Sequence, residues 1–180
     1  MNKKHALVCG SSKGIGASTA IELSKLGATI TLLARDEESL ANVLNRLDTS
    51  KYQNHNFIIA DFDDPFKLKD TIDQHIANNP TIHILINNSG GPKPGPIVDA
   101  NVEDFISAFK RHLICNHILV QAVVPKMKEA RFGRIINITS TSVKQPIKGL
   151  GISNTIRGAV ANWAKTLSFE LGEFGITVNN

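Results

Sequence analysis

Residues 6–16 read Ala6-Leu7-Val8-Cys9-Gly10-Ser11-Ser12-Lys13-Gly14-Ile15-Gly16, and their pattern indicates the architecture of the chain. Its first four residues form an apolar run typical of a buried strand, and helical spacing follows from Gly16 to Leu26. Gly10 permits a tight turn, Gly14 lets another molecule approach the backbone, and Gly16 lets the helix pack closely on the strand. The free N–H groups at the start of that helix attract negative charge. The stretch therefore predicts a strand, a phosphate-binding turn and a helix.

Short apolar strands alternate with helices along the rest of the chain. The predicted strands are Ala6–Cys9, Thr29–Leu33, Phe57–Ala60, Ile82–Ile86 and Arg134–Ile138. The predicted helices are Gly16–Leu26, Asp36–Leu47, Pro65–Ala77, Val102–Glu129 and Asn154–Gly172, with Pro125 expected to kink or end the fourth. Near-continuous apolar strands are typical of a parallel sheet covered on both faces. We therefore predict α/β architecture: one doubly wound, Rossmann-type domain with three α/β/α layers over residues 1–180.

The end of the chain and its composition add further expectations. Gly175–Asn179 predicts the opening of another strand, so we expect a domain truncated at its C-terminus. No apolar run approaches the roughly 18–20 residues of a membrane span, and the first residues lack signal-peptide features, so we expect a cytoplasmic protein. The net charge of +4 comes from scattered lysines, which argues against a nucleic-acid partner. Cys9 and Cys115 lie in apolar surroundings and indicate neither a disulfide framework nor a metal site.

The second strand indicates which dinucleotide the loop binds. The predicted loop residues are Gly10, Ser12, Lys13, Gly14, Ile15 and Gly16. An NAD site usually has a carboxylate at the end of the second strand, but Ala34 holds that position and Arg35 follows it. Lys13 and Arg35 together suit a 2′-phosphate, which favours NADP over NAD. The alternative is that Arg35 is a surface residue paired with Asp36 or Glu38.

Five motifs together resemble the short-chain dehydrogenase/reductase family over essentially the whole chain. They are Gly10-x-x-x-Gly14-x-Gly16, Asp61 after the third strand, Asn87-Asn88-Ser89-Gly90 after the fourth, residues 133–140 at the fifth, and Gly175-Ile176-Thr177-Val178-Asn179. The resemblance implies that Asp61 and Phe62 lie at the adenine and that Asn88, Ser89 and Gly90 line the cofactor cleft. Ser89 replaces the more usual alanine of this motif.

The family's chemistry is hydride transfer between nicotinamide and a carbonyl or alcohol, and most of its catalytic residues are changed here. The resemblance places Ser140 at the family's serine, Ser153 at its tyrosine, Arg157 at its lysine and His112 at its asparagine. No shift of the alignment restores the tyrosine, because the only tyrosine of the chain is Tyr52. This chain is thus expected to be a divergent member that lacks the catalytic tyrosine and lysine.

The serine and arginine at the tyrosine and lysine positions can bind a ligand but are poor at exchanging protons. A serine is a far weaker acid than a phenol, and an arginine stays protonated, so Arg157 can hold ribose or support an oxyanion. Ser153 has an alternative role as the N-cap of the following helix. His112 is the nearby group whose ordinary pKa suits proton transfer near neutrality. Its alternative is a hydrogen-bonded histidine in a helix at a subunit interface.

Two functions follow from these residues. The first is a divergent NADP(H)-dependent oxidoreductase with a non-standard active site, acting on the carbonyl or hydroxyl group of a small-molecule substrate. The second is a non-catalytic NAD(P)-binding sensor or partner subunit. The resemblance further implies a homo-oligomer, a dimer or tetramer, formed through Val102–Glu129 and Asn154–Gly172.

Overall fold

The computed structural model describes residues 1, 3–78 and 81–180, and these form one parallel sheet flanked by helices. The strands are β1 (His5–Cys9), β2 (Thr29–Ala34), β3 (Asn56–Ile59), β4 (Ile84–Asn87), β5 (Gly133–Asn137) and β6 (Ile176–Asn179). They lie in the order β3-β2-β1-β4-β5-β6, and each neighbouring pair is parallel. The order changes direction between β1 and β4, which opens a crevice at the carboxyl ends of these strands. The predicted doubly wound sheet is confirmed.

Helices cover the two faces of the sheet. They are α1 (Gly14–Lys25), α2 (Glu37–Leu44), α3 (Pro65–Asn78), α4 (Val102–Phe109), α5 (Cys115–Glu129) and α6 (Gly151–Leu171). Apolar residues of α1 and α2 pack on one face, in a cluster that includes Ala20 and Leu40. Residues of α3, α5 and α6 pack on the other, in a cluster that includes Ile72, Leu119 and Leu171. Both clusters are buried, which agrees with the apolar strands from which the sheet was predicted. None of the described helices is long and apolar enough to span a membrane.

The helix predicted over Val102–Glu129 is not continuous. A five-residue π-helical turn, Lys110–Ile114, separates α4 from α5. Such turns are uncommon and often mark functional sites, and this one carries Arg111 and His112. Apolar spacing alone does not reveal a π-turn, because the chain remains helical on both sides. Pro125 does not end the helix, since α5 continues through it to Glu129.

The last helix begins earlier than predicted. α6 begins at Gly151 rather than Asn154, and its N-cap residue is Leu150. Ser153 therefore lies within the first turn, and its interpretation as the N-cap is wrong. The start is shifted because the backbone of Gly95 pairs with this segment: the Gly151 N–H donates to the Gly95 carbonyl at 2.9 Å.

A cluster of histidines lies at the amino ends of the central strands, opposite the crevice. His5 is 5% exposed, and its Nε2 lies 2.8 Å from the Thr31 hydroxyl. Its backbone N–H donates to Nδ1 of His83 at 3.2 Å. Burial, followed by the charges of His75, His83 and His55, lowers the pKa of His5 from 6.5 to about 4. The folded protein therefore holds His5 neutral where an unfolded chain would protonate it.

This burial predicts a loss of stability in mild acid. Between pH 6.5 and 4 the unfolded state binds the His5 proton and the folded state does not, so stability falls as pH decreases through that window. We expect His5 alone to lower the free energy of unfolding by about 2 kcal/mol between pH 7 and pH 5. Urea unfolding at both pH values measures the difference. His5→Gln, which keeps a partner for Thr31, should reduce the pH dependence; equal pH dependence in both proteins would contradict the assignment.

Candidate functional site

The crevice at the switch point holds a cavity of about 690 Å³. All of the predicted cofactor-binding residues except Gly14 and Gly16 line it: Gly10, Ser12, Lys13, Ile15, Arg35, Asp61, Phe62, Asn88, Ser89 and Gly90. They come from the ends of β1, β2, β3 and β4, because parallel strands end at the same edge of a sheet. Residues distant in sequence thus share one cavity large enough for a cofactor.

The glycine loop places the start of α1 against the end of β1. A Cβ on Gly16 would lie 2.3 Å from the Gly10 carbonyl oxygen, so only glycine allows this contact. Gly14 has φ +57°, and no atom lies within 4 Å of its Cβ position, which leaves its backbone accessible. The N-cap residue, Lys13, has no side-chain hydrogen bond to the helix. The first N–H groups of α1 therefore face the site without a side-chain cap, as a pyrophosphate requires.

Two polar side chains hold this loop in place. The Ser11 hydroxyl, fully buried, accepts from the Leu33 N–H at 2.9 Å and so joins the loop to β2. The Asn88 amide donates to the carbonyls of Cys9 and Gly10, both at 3.2 Å. The sequence analysis did not single out Ser11; its signal was a small polar residue in the middle of a buried turn. Together these bonds fix the loop relative to β2 and β4.

Charged side chains surround the end of the cavity nearest β2 and β3. Arg35 Nη1 lies 3.7 Å from Asp61 Oδ2 and 3.8 Å from Asp63 Oδ2. Arg35 is an exposed residue, as the alternative interpretation has it, but its partners are Asp61 and Asp63 instead of Asp36 or Glu38. The Asp36 carboxylate caps α2 by accepting the Ser39 N–H. Arg111, which the sequence analysis missed, also lines the cavity and binds Asp63.

His112 is 2% exposed and lines a smaller cavity of about 250 Å³, which shares Gly91 and Arg111 with the first. Its Nδ1 lies 2.9 Å from the Ser89 hydroxyl, and within the described residues its buried Nε2 has no hydrogen-bond partner. Burial, then the charges of Arg157 and Arg111, lowers its pKa from 6.5 to about 4. The imidazole is therefore neutral at pH 7. The expectation that its pKa suits proton transfer near neutrality is wrong, because that expectation assumed a solvated side chain.

Arg157 lies close enough to His112 for its charge to lower the imidazole pKa. Its Nη1 donates to the Ile138 carbonyl at 2.7 Å, and in the described part of the chain its buried Nε has no partner. Burial lowers the pKa of the Arg157 guanidinium. An arginine nevertheless stays protonated at neutral pH, so this group supplies a fixed positive charge.

The two serines lie on neighbouring elements. Ser140 follows β5 and caps a short turn, its hydroxyl accepting the Ser142 N–H at 3.1 Å. Ser153 lies in the first turn of α6, which packs on that turn. Among the described residues no hydrogen bond joins Ser140 to Ser153 or Arg157. Tyr52 is 98% exposed in the loop before β3 and does not line the cavity.

Comparisons with known proteins agree with this arrangement. A family model described as short chain dehydrogenase matches residues 4–180. The NADPH-dependent aldehyde reductase-like protein, chloroplastic, of Arabidopsis thaliana is 33% identical over 186 residues, which cover 97% of this chain and 69% of that protein. NADPH-dependent reductase BacG of Bacillus subtilis is 26% identical over 181 residues, covering 99% and 70%. The crystal structure of L-sorbose reductase from Gluconobacter frateurii, complexed with NADPH and L-sorbose, has a TM-score of 0.92 at 27% identity, covering 99% of this chain and 68% of that one. This chain therefore spans only part of the length of these relatives.

The two loop glycines should respond differently to a methyl group. Gly16→Ala would place Cβ against the backbone of Gly10, so we expect a loss of more than about 2 kcal/mol in unfolding free energy. Gly14→Ala places its methyl group in open space, so only the positive φ of this residue should lower the unfolding free energy, by about 1–2 kcal/mol. Urea unfolding of both variants measures the difference. Equal losses would show that the Gly16 contact does not constrain the loop.

Proposed function

Because this chain belongs to the short-chain dehydrogenase family, we propose that it binds NADP(H) in the crevice and catalyses hydride transfer to or from a carbonyl or hydroxyl substrate. The observation that carries the proposal is the glycine loop, whose uncapped helix start borders a cavity lined by nearly all the predicted cofactor-binding residues. An uncapped helix N-terminus at the switch point of a parallel sheet suits a dinucleotide pyrophosphate.

The charges at the end of β2 support NADP(H) over NAD(H). Ala34 supplies no carboxylate for ribose hydroxyls, while Lys13 and Arg35 both line the cavity and are exposed to it. The two cations in the cavity, together with the lack of a carboxylate at the end of β2, favour a 2′-phosphate. Two of the compared relatives carry NADPH-dependent in their names, and the L-sorbose reductase structure contains NADPH.

The residues proposed for catalysis differ from the family pattern. When bound, NADPH supplies the hydride. Ser140 would donate a hydrogen bond to the substrate oxygen, and Arg157 would stabilise negative charge developing nearby. His112 would orient a polar group by hydrogen bonding, because a pKa of about 4 leaves its imidazole neutral at pH 7 and unable to act as a general acid. The proton that completes reduction would then come from water or from the substrate, and Ser153 would contribute at most a hydrogen bond.

A second function, a non-catalytic NAD(P)-binding sensor or partner subunit, rests on the same site. It is favoured by the protonation states of two described residues, since burial and nearby positive charge keep His112 neutral at pH 7 and Arg157 stays charged. Both functions require the dinucleotide, so binding and turnover must be tested separately.

We also propose that this chain forms a homo-oligomer. Val102, Ile106 and Phe109 on α4 are 66%, 49% and 39% exposed and recur at helical spacing. An apolar stripe of this kind on a helix face suits a subunit contact.

Binding should discriminate between the two dinucleotides through Arg35. We expect NADPH to raise the melting temperature more than NADH does, because Lys13 and Arg35 can bind the additional phosphate. Arg35→Gln should remove most of that difference. Arg46→Gln, at an exposed arginine outside the cavity, is the matched control and should preserve it. Equal shifts for both dinucleotides with the unaltered protein would contradict the NADP assignment.

Turnover is tested through Ser140. The unaltered chain, Ser140→Ala and the neighbouring control Thr141→Ala are incubated with NADPH and ketones, β-ketoacyl esters or quinones, and NADPH oxidation is followed. We expect Ser140→Ala to lower kcat/KM by at least about tenfold while Thr141→Ala leaves it unchanged, since a single oxyanion donor is worth roughly 10²–10³-fold. NADPH binding without oxidation above the Ser140→Ala level would favour the sensor function.

A further inference from the structure

The loop after β3 places two carboxylates beside Arg35. β2 and β3 are paired with Ala34 opposite Ile59, so the residues that follow them leave the sheet side by side. The Asp63 N–H donates to Asp61 Oδ1 at 3.0 Å, which fixes the two carboxylates in one turn. Arg35 Nη1 is thus shared between Asp61 at 3.7 Å and Asp63 at 3.8 Å.

A second arginine reaches the same carboxylate from the opposite side. Arg111, on the π-helical turn between α4 and α5, donates through Nη2 to Asp63 Oδ2 at 2.7 Å and through Nε to Oδ1. This two-bond contact is the geometry that a guanidinium and a carboxylate prefer. Arg35 and Arg111 both line the dinucleotide cavity, whereas Asp63 contacts both of them without lining it.

We propose that Asp63 is a specificity-determining residue, which binds Arg35 and Arg111 together and thereby limits their attraction for the 2′-phosphate of NADP(H). The inference rests on the proposed function, since it concerns the same cavity and cofactor. Asp63 also fixes Arg111 to the cavity wall. The selectivity for NADP(H) accordingly depends on Asp63 and Arg111 as well as on Lys13, Arg35 and Asp61.

The sign of the effect follows from charge. A 2′-phosphate bound by Arg35 must share that guanidinium with one carboxylate at Asp61 and another at Asp63, and both repel it. Removing the Asp63 charge relieves that repulsion and releases both guanidinium groups. NAD(H) has no 2′-phosphate, so its affinity should change little. The groups are 39–67% exposed, so water and salt weaken the interaction, and we expect a change of about three- to tenfold.

The first test compares Asp63→Asn with Asp64→Asn. Calorimetry gives the dissociation constants of NADP⁺ and NAD⁺ for each protein. We expect Asp63→Asn to raise the preference for NADP⁺ about three- to tenfold at low salt, with a smaller gain at high ionic strength. Asp64→Asn removes the same charge one residue away, at an exposed carboxylate that caps α3 through the Lys67 N–H. It should leave the preference unchanged.

The second test removes the arginine of the same ion pair and should change the preference for NADP⁺ in the opposite direction. Arg111→Gln leaves Asp63 with Arg35 as its remaining cation and adds unbalanced negative charge beside the 2′-phosphate. We expect the preference for NADP⁺ to fall about three- to tenfold below that of the unaltered protein. Opposite changes in two variants that break the same contact cannot arise from loss of folding, which would weaken both dinucleotides together.

The outcomes separate this inference from the proposed function. Failure of the unaltered protein to bind either dinucleotide would overturn the proposed function and this inference with it. Binding by the unaltered protein, with equal selectivity in Asp63→Asn and Asp64→Asn, would overturn the inference alone. An equal loss of both affinities in Asp63→Asn would likewise overturn it, because Asp63 would then be a structural residue of the cleft. Opposite shifts in Asp63→Asn and Arg111→Gln would support it.

Discussion

The close approach of α1 to β1 is the contact on which the site depends. Gly16 lies over the Gly10 carbonyl at a distance that excludes any side chain, and Asn88 binds the carbonyls of Cys9 and Gly10 from β4. These contacts set the direction in which α1 leaves the sheet. The uncapped N–H groups of its first turn therefore face the crevice, and its positive end lies where a pyrophosphate would bind.

The charged and titratable groups at the two ends of the crevice differ in their exposure to water. Beside β2 and β3, arginines and aspartates are partly exposed, so their interactions are weak individually and respond to salt. Beside β4 and β5, His112 and Arg157 are largely removed from water, and burial lowers the pKa of both. The exposed end is suited to selecting a ligand by its charge, and the buried end to holding polar groups in fixed protonation states.

The sequence predicted what depends on local pattern and not what depends on three-dimensional pairing. Apolar runs and the glycine spacing were sufficient for the strand-helix alternation, the sheet class and the loop, because each is a property of neighbouring residues. The π-turn at Lys110–Ile114 was missed because helical spacing surrounds it. The alternative partners of Arg35, Asp36 and Glu38, are its nearest carboxylates in sequence, whereas the β2–β3 register brings Asp61 and Asp63 close to it. The pKa of His112 was beyond prediction since it follows from burial.

The residues proposed for catalysis have a common physical property. The family resemblance implies a tyrosine as proton donor, whose pKa is lowered toward neutrality by a nearby lysine that itself stays charged. Here Arg157 remains charged and His112 remains neutral across that range, so neither changes protonation state when a substrate oxygen gains or loses negative charge. What these residues retain is the ability to hold ligands and to stabilise charge. A site with those properties can still lower the barrier for hydride transfer, provided that the proton arrives from outside the protein. In their proposed roles these residues would bind a dinucleotide without exchanging a proton themselves, and the proposed oxidoreductase and sensor functions differ in whether solvent or substrate supplies that proton.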